Sequence, residues 1–442
     1  MNKPSPVTFT VRPGGSLQGR VRVSGDKSIS HRFVIFSALA EGVSEAQGFL
    51  EGKDTIATAN ALRAMGVRIE GPSDGAMRVE GVGVRGLSPP AAPLDMGNSG
   101  TAMRLLAGVL AGQPFESTLI GDASLSARPM ARITHPLRSM NARIEAAGGE
   151  TPPLEIHPAD GALKAIDYAM PVASAQVKSC LLLAGLYADG ATCVNEPAPT
   201  RDHTERMFGA FGAPLAVHEN RICVTPGPSL RATNIDVPGD ISSAAFFMVG
   251  AAIAQGSDVV LENVGINPTR VGVIDILTAM GADIQIENRR QAGGEPVADI
   301  HVRGAPLTGI QVPTALVPLA IDEFPALFVA AACARGETRV SGAEELRVKE
   351  SDRIAVMADG LKALGIDAEP TPDGMRITGG QIGGGQVDSC GDHRIAMAFA
   401  MAGLAADGEI RIDDCANVDT SFPGFVALAA SAGLEISAGR LP

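Results

Sequence analysis

Apolar residues along this chain gather into runs of helical length that open on polar, glycine-marked loops and close near a glycine, six times over. The openings are Gly25-Asp26-Lys27-Ser28, Gly97-Asn98-Ser99-Gly100, Ser174-Ala175-Gln176, Gly239-Asp240-Ile241-Ser242, Asp322-Glu323-Phe324 and Gly391-Asp392-His393-Arg394. The closing glycines are Gly42, Gly112, Gly190, Gly256, Gly336 and Gly408, spaced by 70, 78, 66, 80 and 72 residues. A recurrent period of this kind predicts repeated structural units. Each opening sets charged or hydrogen-bonding residues at a helix start, where free N–H groups and the positive end of the helix dipole favour anions.

After each closing glycine comes a short alternating run, such as Glu337 to Val340 or Glu409 to Ile412, which predicts a strand. A second, amphipathic helix follows, as in Ala59 to Met65, Val271 to Met280 and Ala355 to Leu364. Gly66, Gly281 and Gly365 then stand where a left-handed cap is wanted, and further β-like runs begin. The unit is β-α-β-α-β-β. An ordinary α/β chain with coincidental Ala-x-Gly helix ends does not produce six matched copies.

Length alone predicts two or three domains, and six units divide into two lobes of three. The expected lobes are residues 21–235 and residues 1–20 with 236–442, the run Val7 to Val11 pairing with the second lobe. Two crossings make a hinge, and the cleft of a hinged protein is a common ligand site.

Composition narrows the function. Hydrophobic residues make up 45% of the chain, enough for two cores. The net charge of −13 and the absence of Trp argue against nucleic acid or an anionic membrane as partner. The start, Met1-Asn2-Lys3-Pro4-Ser5-Pro6, has no apolar stretch of a secretory signal, and no apolar run is long enough to span a bilayer. Cys180, Cys193, Cys223, Cys333, Cys390 and Cys415 lack paired zinc spacing and are most simply free cytosolic thiols.

Against that acidic background, Lys27, Ser28, Arg32, Arg104, Arg128, Lys178, Arg201, His203, His393 and Arg394 cluster near helix starts. A lone Arg is ordinarily a solvated surface charge. Recurrence at equivalent points of several repeats instead predicts a site for several anionic groups. Lys349 and Arg353, four apart, share a face if their segment is helical. Asp322 is either a helix cap or a general base, and Glu350 either an ion-pair partner or a proton carrier.

At these residues the chain resembles the 5-enolpyruvylshikimate-3-phosphate synthase family. The matching stretches are Gly25 to Arg32, Gly97 to Arg104, Ser174-Ala175-Gln176-Val177-Lys178, Arg347 to Arg353 and Asp392-His393-Arg394. Arg201-Asp202-His203-Thr204-Glu205 and Asn267-Pro268-Thr269-Arg270 resemble signatures of the family's second class. The resemblance implies a two-lobed α/β fold, an inside-out α/β barrel of six β-α-β-α-β-β repeats, three per lobe. It implies transfer of the enolpyruvyl group of phosphoenolpyruvate to the 5-hydroxyl of shikimate 3-phosphate, with release of phosphate and with no metal or organic cofactor. By the same matching, Lys27, Ser28, Arg32, Ser174, Ala175, Gln176, Asp322 and Lys349 hold shikimate 3-phosphate. Lys27, Gly100, Arg128, Gln176, Arg353 and Arg394 hold phosphoenolpyruvate, while Asp322, Glu350 and Lys27 move protons. The enzyme is expected to be a cytoplasmic monomer without nucleic-acid or membrane partners. The inhibitor glyphosate, which the family binds in place of phosphoenolpyruvate, is excluded in members carrying Ala at the position of Gly100.

Two positions depart from the better-known class. Glu345 stands where an Asn meets the shikimate phosphate, which leaves Arg201 as the candidate phosphate ligand; Thr420 replaces a Lys that reaches phosphoenolpyruvate. The sister transferase acting on UDP-N-acetylglucosamine relies on a Cys in the first half. Leu119 to Met130 contains none, and Lys27-Ser28 stands where the sister has Lys-Asn. A six-unit DNA clamp would spread Lys and Arg along helix faces rather than at helix starts. Metal-free phosphate release from phosphoenolpyruvate with each acceptor in turn separates these readings.

The hinge reading predicts that shikimate 3-phosphate closes an open free enzyme. Small-angle scattering should give a smaller radius of gyration on adding that substrate; an unchanged profile at saturation would count against the hinge.

Overall fold

The apolar runs form helices in the computed structural model of the chain, which describes residues 7–213, 215–227 and 229–440. They are α1 (Lys27–Leu39), α2 (Gly100–Leu110), α3 (Ala175–Gly185), α4 (Ile241–Ile253), α5 (Phe324–Cys333) and α6 (His393–Ala402). Every residue of α4 from Ile241 to Ala252 is buried. A helix apolar all round has no face for water and belongs inside a core. Five of the six begin on a side-chain cap. Asp26 accepts from Ile29 N at 2.9 Å, Ser99 from Ala102 N at 3.1 Å and Ser174 from Val177 N at 3.4 Å. Asp240 accepts from Ser242 N at 2.8 Å and Asp392 from Arg394 N at 2.9 Å. Helix α5 differs: Glu323 stands at its N-cap without a capping bond, and Pro325 occupies its first turn.

The helices stop short of the expected closing glycines. Ala40 takes an extended conformation directly after α1, and Gly42 already lies in the strand Glu41–Gln47. The amphipathic helices Lys53–Ala64, Gly272–Ala279 and Arg353–Ala363 do close as the pattern predicts. Gly66, Gly281 and Gly365 follow them with φ of +89°, +95° and +85°, values that glycine reaches without steric cost.

The chain divides into two compact units. The leading unit is Gly25–Val237 with the short return Ala292–Glu295; the trailing unit is the chain up to Ser24, Pro238–Gln291 and the chain from Pro296 on. The leading unit holds three four-stranded sheets of one design, a parallel pair extended by two antiparallel strands. Leu94–Asp95, Ser117–Ile120, Thr151–His157 and Arg143–Ala147 form one, in that order. Asp167–Ala169, Thr192–Asn195, Arg221–Val224 and Ala216–His218 form the next. In the last, Ile235–Asp236 returns to pair in parallel with Glu41–Gln47, so the final strand completes the first repeat's sheet.

The trailing unit repeats the design with its own closure. Gln18–Val21 lies parallel to Asp258–Gly265, and Val7–Val11 lies antiparallel between Ile410–Asp413 and Ile436–Arg440. Its remaining sheet has three strands, with a parallel bridge from Gln311 to Arg339 at the place of the fourth. Each unit buries its three helices in a separate apolar cluster. In the leading unit α2 and α3 meet so closely that a Cβ on Gly108 would lie 2.2 Å from the Cys180 carbonyl oxygen, an approach only glycine permits.

The cysteine reading needs a correction. Cys193 and Cys223 form a disulfide, because they face each other across adjacent antiparallel strands with Cα atoms 4.1 Å apart. Cys180, Cys333, Cys390 and Cys415 are free. No helix of the described residues is long and apolar enough to cross a membrane. The start read for a secretory signal, Met1 to Pro6, lies outside the described residues.

Candidate active site

In the leading unit, Lys27 opens α1 with its Nζ 2.5 Å from Asp54 Oδ2, in the first turn of Lys53–Ala64. Arg32, one turn further along α1, is buried, and each of its three guanidinium nitrogens donates a hydrogen bond. Nη1 donates to the Ser28 carbonyl at 2.9 Å, Nε to Thr204 Oγ1 at 2.7 Å and Nη2 to Ser179 Oγ at 2.8 Å. Ser179 Oγ donates to the Ala175 carbonyl at 2.7 Å. Burial lowers the Arg32 guanidinium to about 10, with Glu205 and Asp26 opposing and nearby Arg201 adding to the fall. Ser28, Arg32, Ala175 and Arg201 thus gather at one end of the buried helices, and Arg32 still carries its charge at neutral pH.

A second group forms around Gly100. A Cβ there would lie 2.8 Å from Arg104 Nη1 and 3.5 Å from Arg128 Nη1, so this glycine sits between two guanidiniums. Arg104 Nη1 donates to Gln176 Oε1 at 2.7 Å, and Gln176 Nε2 donates to Thr101 Oγ1 at 2.9 Å. Arg128 Nη2 is held by Asn98 Oδ1 at 2.7 Å and Ser124 Oγ at 3.2 Å. Gly100, Arg128 and Gln176 are therefore brought together, with Arg104 as the link. Ser174 caps α3 beside them.

Lys178 belongs elsewhere. Its Nζ is buried between Glu196 Oε1 at 3.1 Å and Glu205 Oε1 at 2.5 Å, so its charge is already answered inside the unit. His203 is likewise turned inward, with Nδ1 2.8 Å from Glu295 Oε1. Neither is placed as an anion ligand.

In the trailing unit the cations converge on one carboxylate. Asp322 Oδ1 lies 3.6 Å from Lys349 Nζ and 3.5 Å from Arg353 Nη1, and Asp322 Oδ2 lies 4.0 Å from Arg394 Nη2. Arg394 Nη1 also donates to the Asp322 carbonyl at 3.2 Å. Glu350 Oε2 lies 2.6 Å from Arg353 Nη2, and Asp392 Oδ2 accepts from Arg353 Nε at 2.8 Å. Burial works against the Arg353 charge, but Asp392, Glu350 and Asp322 outweigh it and raise its pKa. The helical spacing expected for Lys349 and Arg353 is absent. Lys349 ends the short turn Glu344–Val348, and Asp352 caps a new helix that begins at Arg353. The two cations meet at Asp322 through that break in the helix. Asp322 stands one residue before the N-cap position, which Glu323 occupies.

Glu345 pairs with Lys349 at 2.7 Å, and Thr420 donates to the Asn417 carbonyl at 2.6 Å in an exposed turn. Two surface hollows contain none of these residues. One, of about 330 Å³, is lined by Val84, Arg85 and Leu186, and one of about 370 Å³ by Gln311, Arg339 and Arg376. Asp54 was not anticipated, for nothing in its local sequence links it to Lys27. Asp392 stood in a matched stretch without a role, yet it anchors Arg353.

A six-repeat α/β fold whose buried helices begin among Lys, Arg and convergent carboxylates defines an enzyme for small, multiply charged anions. The comparisons with known proteins narrow this. The profile of the EPSP synthase family, 3-phosphoshikimate 1-carboxyvinyltransferase, matches residues 11–428. The 3-phosphoshikimate 1-carboxyvinyltransferase of Methylococcus capsulatus is 66% identical over 431 residues, covering 97% of this chain and 98% of that one. That of Alkalilimnicola ehrlichii is 64% identical, covering 98% and 97%. An EPSP synthase structure from Acinetobacter baumannii superposes with a TM-score of 0.91 at 57% identity, covering 98% of this chain and all of that one. The chain belongs to the EPSP synthase family and is an enolpyruvyl transferase of the shikimate pathway.

One member of the first motif titrates. His31 is buried, with Nδ1 2.7 Å from Thr58 Oγ1. Burial, helped by the Lys27 charge, lowers it from 6.5 to about 3. Between those values the unfolded chain binds a proton that the folded one refuses, so stability falls as pH drops through this window. By pH 5 the loss should be about 2 kcal/mol. Urea unfolding of wild type and of His31→Gln, which cannot titrate there, should show a smaller acid loss in the variant. Equal losses in the two proteins would exclude a neutral, buried His31.

Proposed function

We propose that this enzyme works with residues at the starts of five of its six buried helices, α4 excepted, and in the loops beside them. Lys27, Ser28, Arg32, Ser174, Ala175, Gln176, Arg201, Asp322 and Lys349 hold shikimate 3-phosphate, and Lys27, Gly100, Arg128, Gln176, Arg353 and Arg394 hold phosphoenolpyruvate. Asp322 takes the 5-hydroxyl proton as that oxygen bonds to C2 of phosphoenolpyruvate, and Lys27 with Glu350 delivers a proton to C3. From the tetrahedral intermediate the C2–O bond to phosphate then breaks, a C3 proton leaves and the double bond returns. The observation that carries this reading is the convergence of Lys349, Arg353 and Arg394 on Asp322 within 4.0 Å. An anionic substrate entering there meets positive charge and a base together. The same reading takes the enzyme as a cytoplasmic monomer. Family membership and a net charge of −13, which opposes self-association, support it.

If Asp322 accepts the hydroxyl proton, Asp322→Asn should cut kcat by roughly a hundredfold or more with the fold intact. Phosphate release under saturating substrates measures it. Near-wild-type turnover would reduce Asp322 to a structural partner of its three cations.

Glyphosate tests the phosphoenolpyruvate side. A methyl group on Gly100 would press on Arg104 Nη1 at 2.8 Å and so disturb the link to Gln176. At that distance the end of Arg104 must shift, and the room that the methyl group takes is lost to a longer mimic before it is lost to phosphoenolpyruvate. Gly100 predicts inhibition of the parent enzyme, weaker than in the better-known class because Thr420 supplies no cation. Gly100→Ala should raise the inhibition constant by a larger factor than it raises KM for phosphoenolpyruvate. Equal tolerance in parent and variant would mean that Gly100 does not control access.

A further inference from the structure

The trailing unit contains a buried carboxylate that the proposed mechanism does not use. Glu323 occupies the N-cap of α5 but makes no capping bond, and its side chain is wholly buried. Its Oε1 accepts from Ser242 Oγ, lies 3.8 Å from Arg270 Nη2 and lies 4.0 Å from Arg394 Nη1; its Oε2 has no hydrogen-bond partner among the described residues. Arg270 Nη2 in turn donates to Ser242 Oγ at 2.7 Å and to Asp240 Oδ1, the cap of α4, at 3.2 Å. One polar chain thus runs from the start of α4 through Ser242 and Glu323 to Arg394 in the first turn of α6.

A buried carboxylate is costly to hold, and no helix cap repays this one. Its position explains it better than stability does. Arg394 is the cation shared between Asp322 and Glu323, at 4.0 Å from each carboxylate. With Glu323 charged, the guanidinium is pulled from two sides and stays between them. In Glu323→Gln the pull from that side is lost, and Arg394, which already donates to the Asp322 carbonyl at 3.2 Å, closes on the carboxylate that must stay open to the substrate hydroxyl.

We propose that Glu323 is a positioning residue for Arg394: backed by Ser242 and Arg270, it holds that guanidinium off Asp322 and ready for the carboxylate or phosphate of phosphoenolpyruvate. The proposal rests on the reading that Arg394 binds phosphoenolpyruvate, and the experiment separates the two. Steady-state kinetics are measured for Glu323→Gln, Arg394→Met and the double variant, with thermal unfolding of each. Glu323→Gln should raise KM for phosphoenolpyruvate about tenfold and change KM for shikimate 3-phosphate by less than about twofold. In the Arg394→Met background the same change should add nothing to KM for phosphoenolpyruvate, because its effect passes through Arg394. If Arg394→Met leaves that KM unchanged, the assignment of Arg394 fails, and this proposal with it. If Arg394→Met raises it but Glu323→Gln does not, or the two effects multiply, the assignment stands and Glu323 is merely structural. Should Glu323→Gln fail to fold, Ser242→Ala makes the same test by loosening Glu323 without removing its charge. A rise in the phosphoenolpyruvate KM confined to the Arg394-containing protein supports the proposal, and a lowered Tm with both KM values unchanged overturns it.

Discussion

Burying a helix on every side leaves it one place for polar chemistry, its end. Each of the six central helices has apolar neighbours around its circumference, and its first-turn amides must find partners at the start. The two units answer differently. In the leading unit the caps are Asp26, Ser99 and Ser174, and Lys27, Arg32 and Arg104 stand in the first turns or just beyond. Cationic side chains and helix dipoles point the same way there, so the starts favour anions outright. In the trailing unit Asp240, Glu323 and Asp392 stand at the three N-caps, and Arg270, Arg353 and Arg394 lie against them. That unit sets carboxylates at the helix caps themselves, beside its cations, whereas the carboxylates that meet Lys27 and Lys178 in the leading unit come from other segments.

The closure of the sheets follows from the same repeat design. The trailing unit takes Val7–Val11 and Gln18–Val21 from the beginning of the chain, and the leading unit takes Ile235–Asp236 from its own far end. The strand Val7–Val11 pairs with segments from the far end of the chain, Ile410–Asp413 and Ile436–Arg440. Such non-local pairing carries a loop-closure entropy that the local hairpins of the other sheets do not. The sheet of the leading unit's first repeat closes over Glu41 to Asp236, although the return Ala292–Glu295, with Glu295 against His203, also belongs to that unit.

Local chemistry was legible in the sequence and cross-chain register was not. The caps at Asp26, Ser99, Ser174, Asp240 and Asp392 could be read because each is a short polar side chain directly before an apolar run. Gly66, Gly281 and Gly365 could be read because a left-handed residue must end those helices. The spacing of Lys349 and Arg353 misled, since Asp352 starts a new helix between them; what joins them is Asp322, nearly thirty residues earlier. Lys178 misled because its two carboxylate partners come from segments outside its own helix. The Cys193–Cys223 bridge depends on which residues of two strands face each other, which a list of cysteine spacings does not contain. Asp54 escaped for the same reason.

If position 345 faces the substrate phosphate, as the resemblance implies, the Glu345 that stands there in place of Asn bears on how that phosphate is received. An acidic residue there would repel the phosphate if it stood free. It is instead paired with Lys349 at 2.7 Å, while Lys349 also lies 3.6 Å from Asp322. Glu345 remains about half exposed, and an exposed ion pair contributes only about 0–1 kcal/mol, so little is lost when a substrate anion draws Lys349 away. Before that exchange Glu345 takes up part of the Lys349 charge that would otherwise fall wholly on Asp322. Glu345 therefore answers part of the Lys349 charge within the trailing unit, while in the leading unit Arg32 and Arg201 stand close enough to repel each other. A dianion between two neighbouring guanidiniums would relieve that repulsion, which is the physical ground for proposing Arg32 and Arg201 as the phosphate ligands.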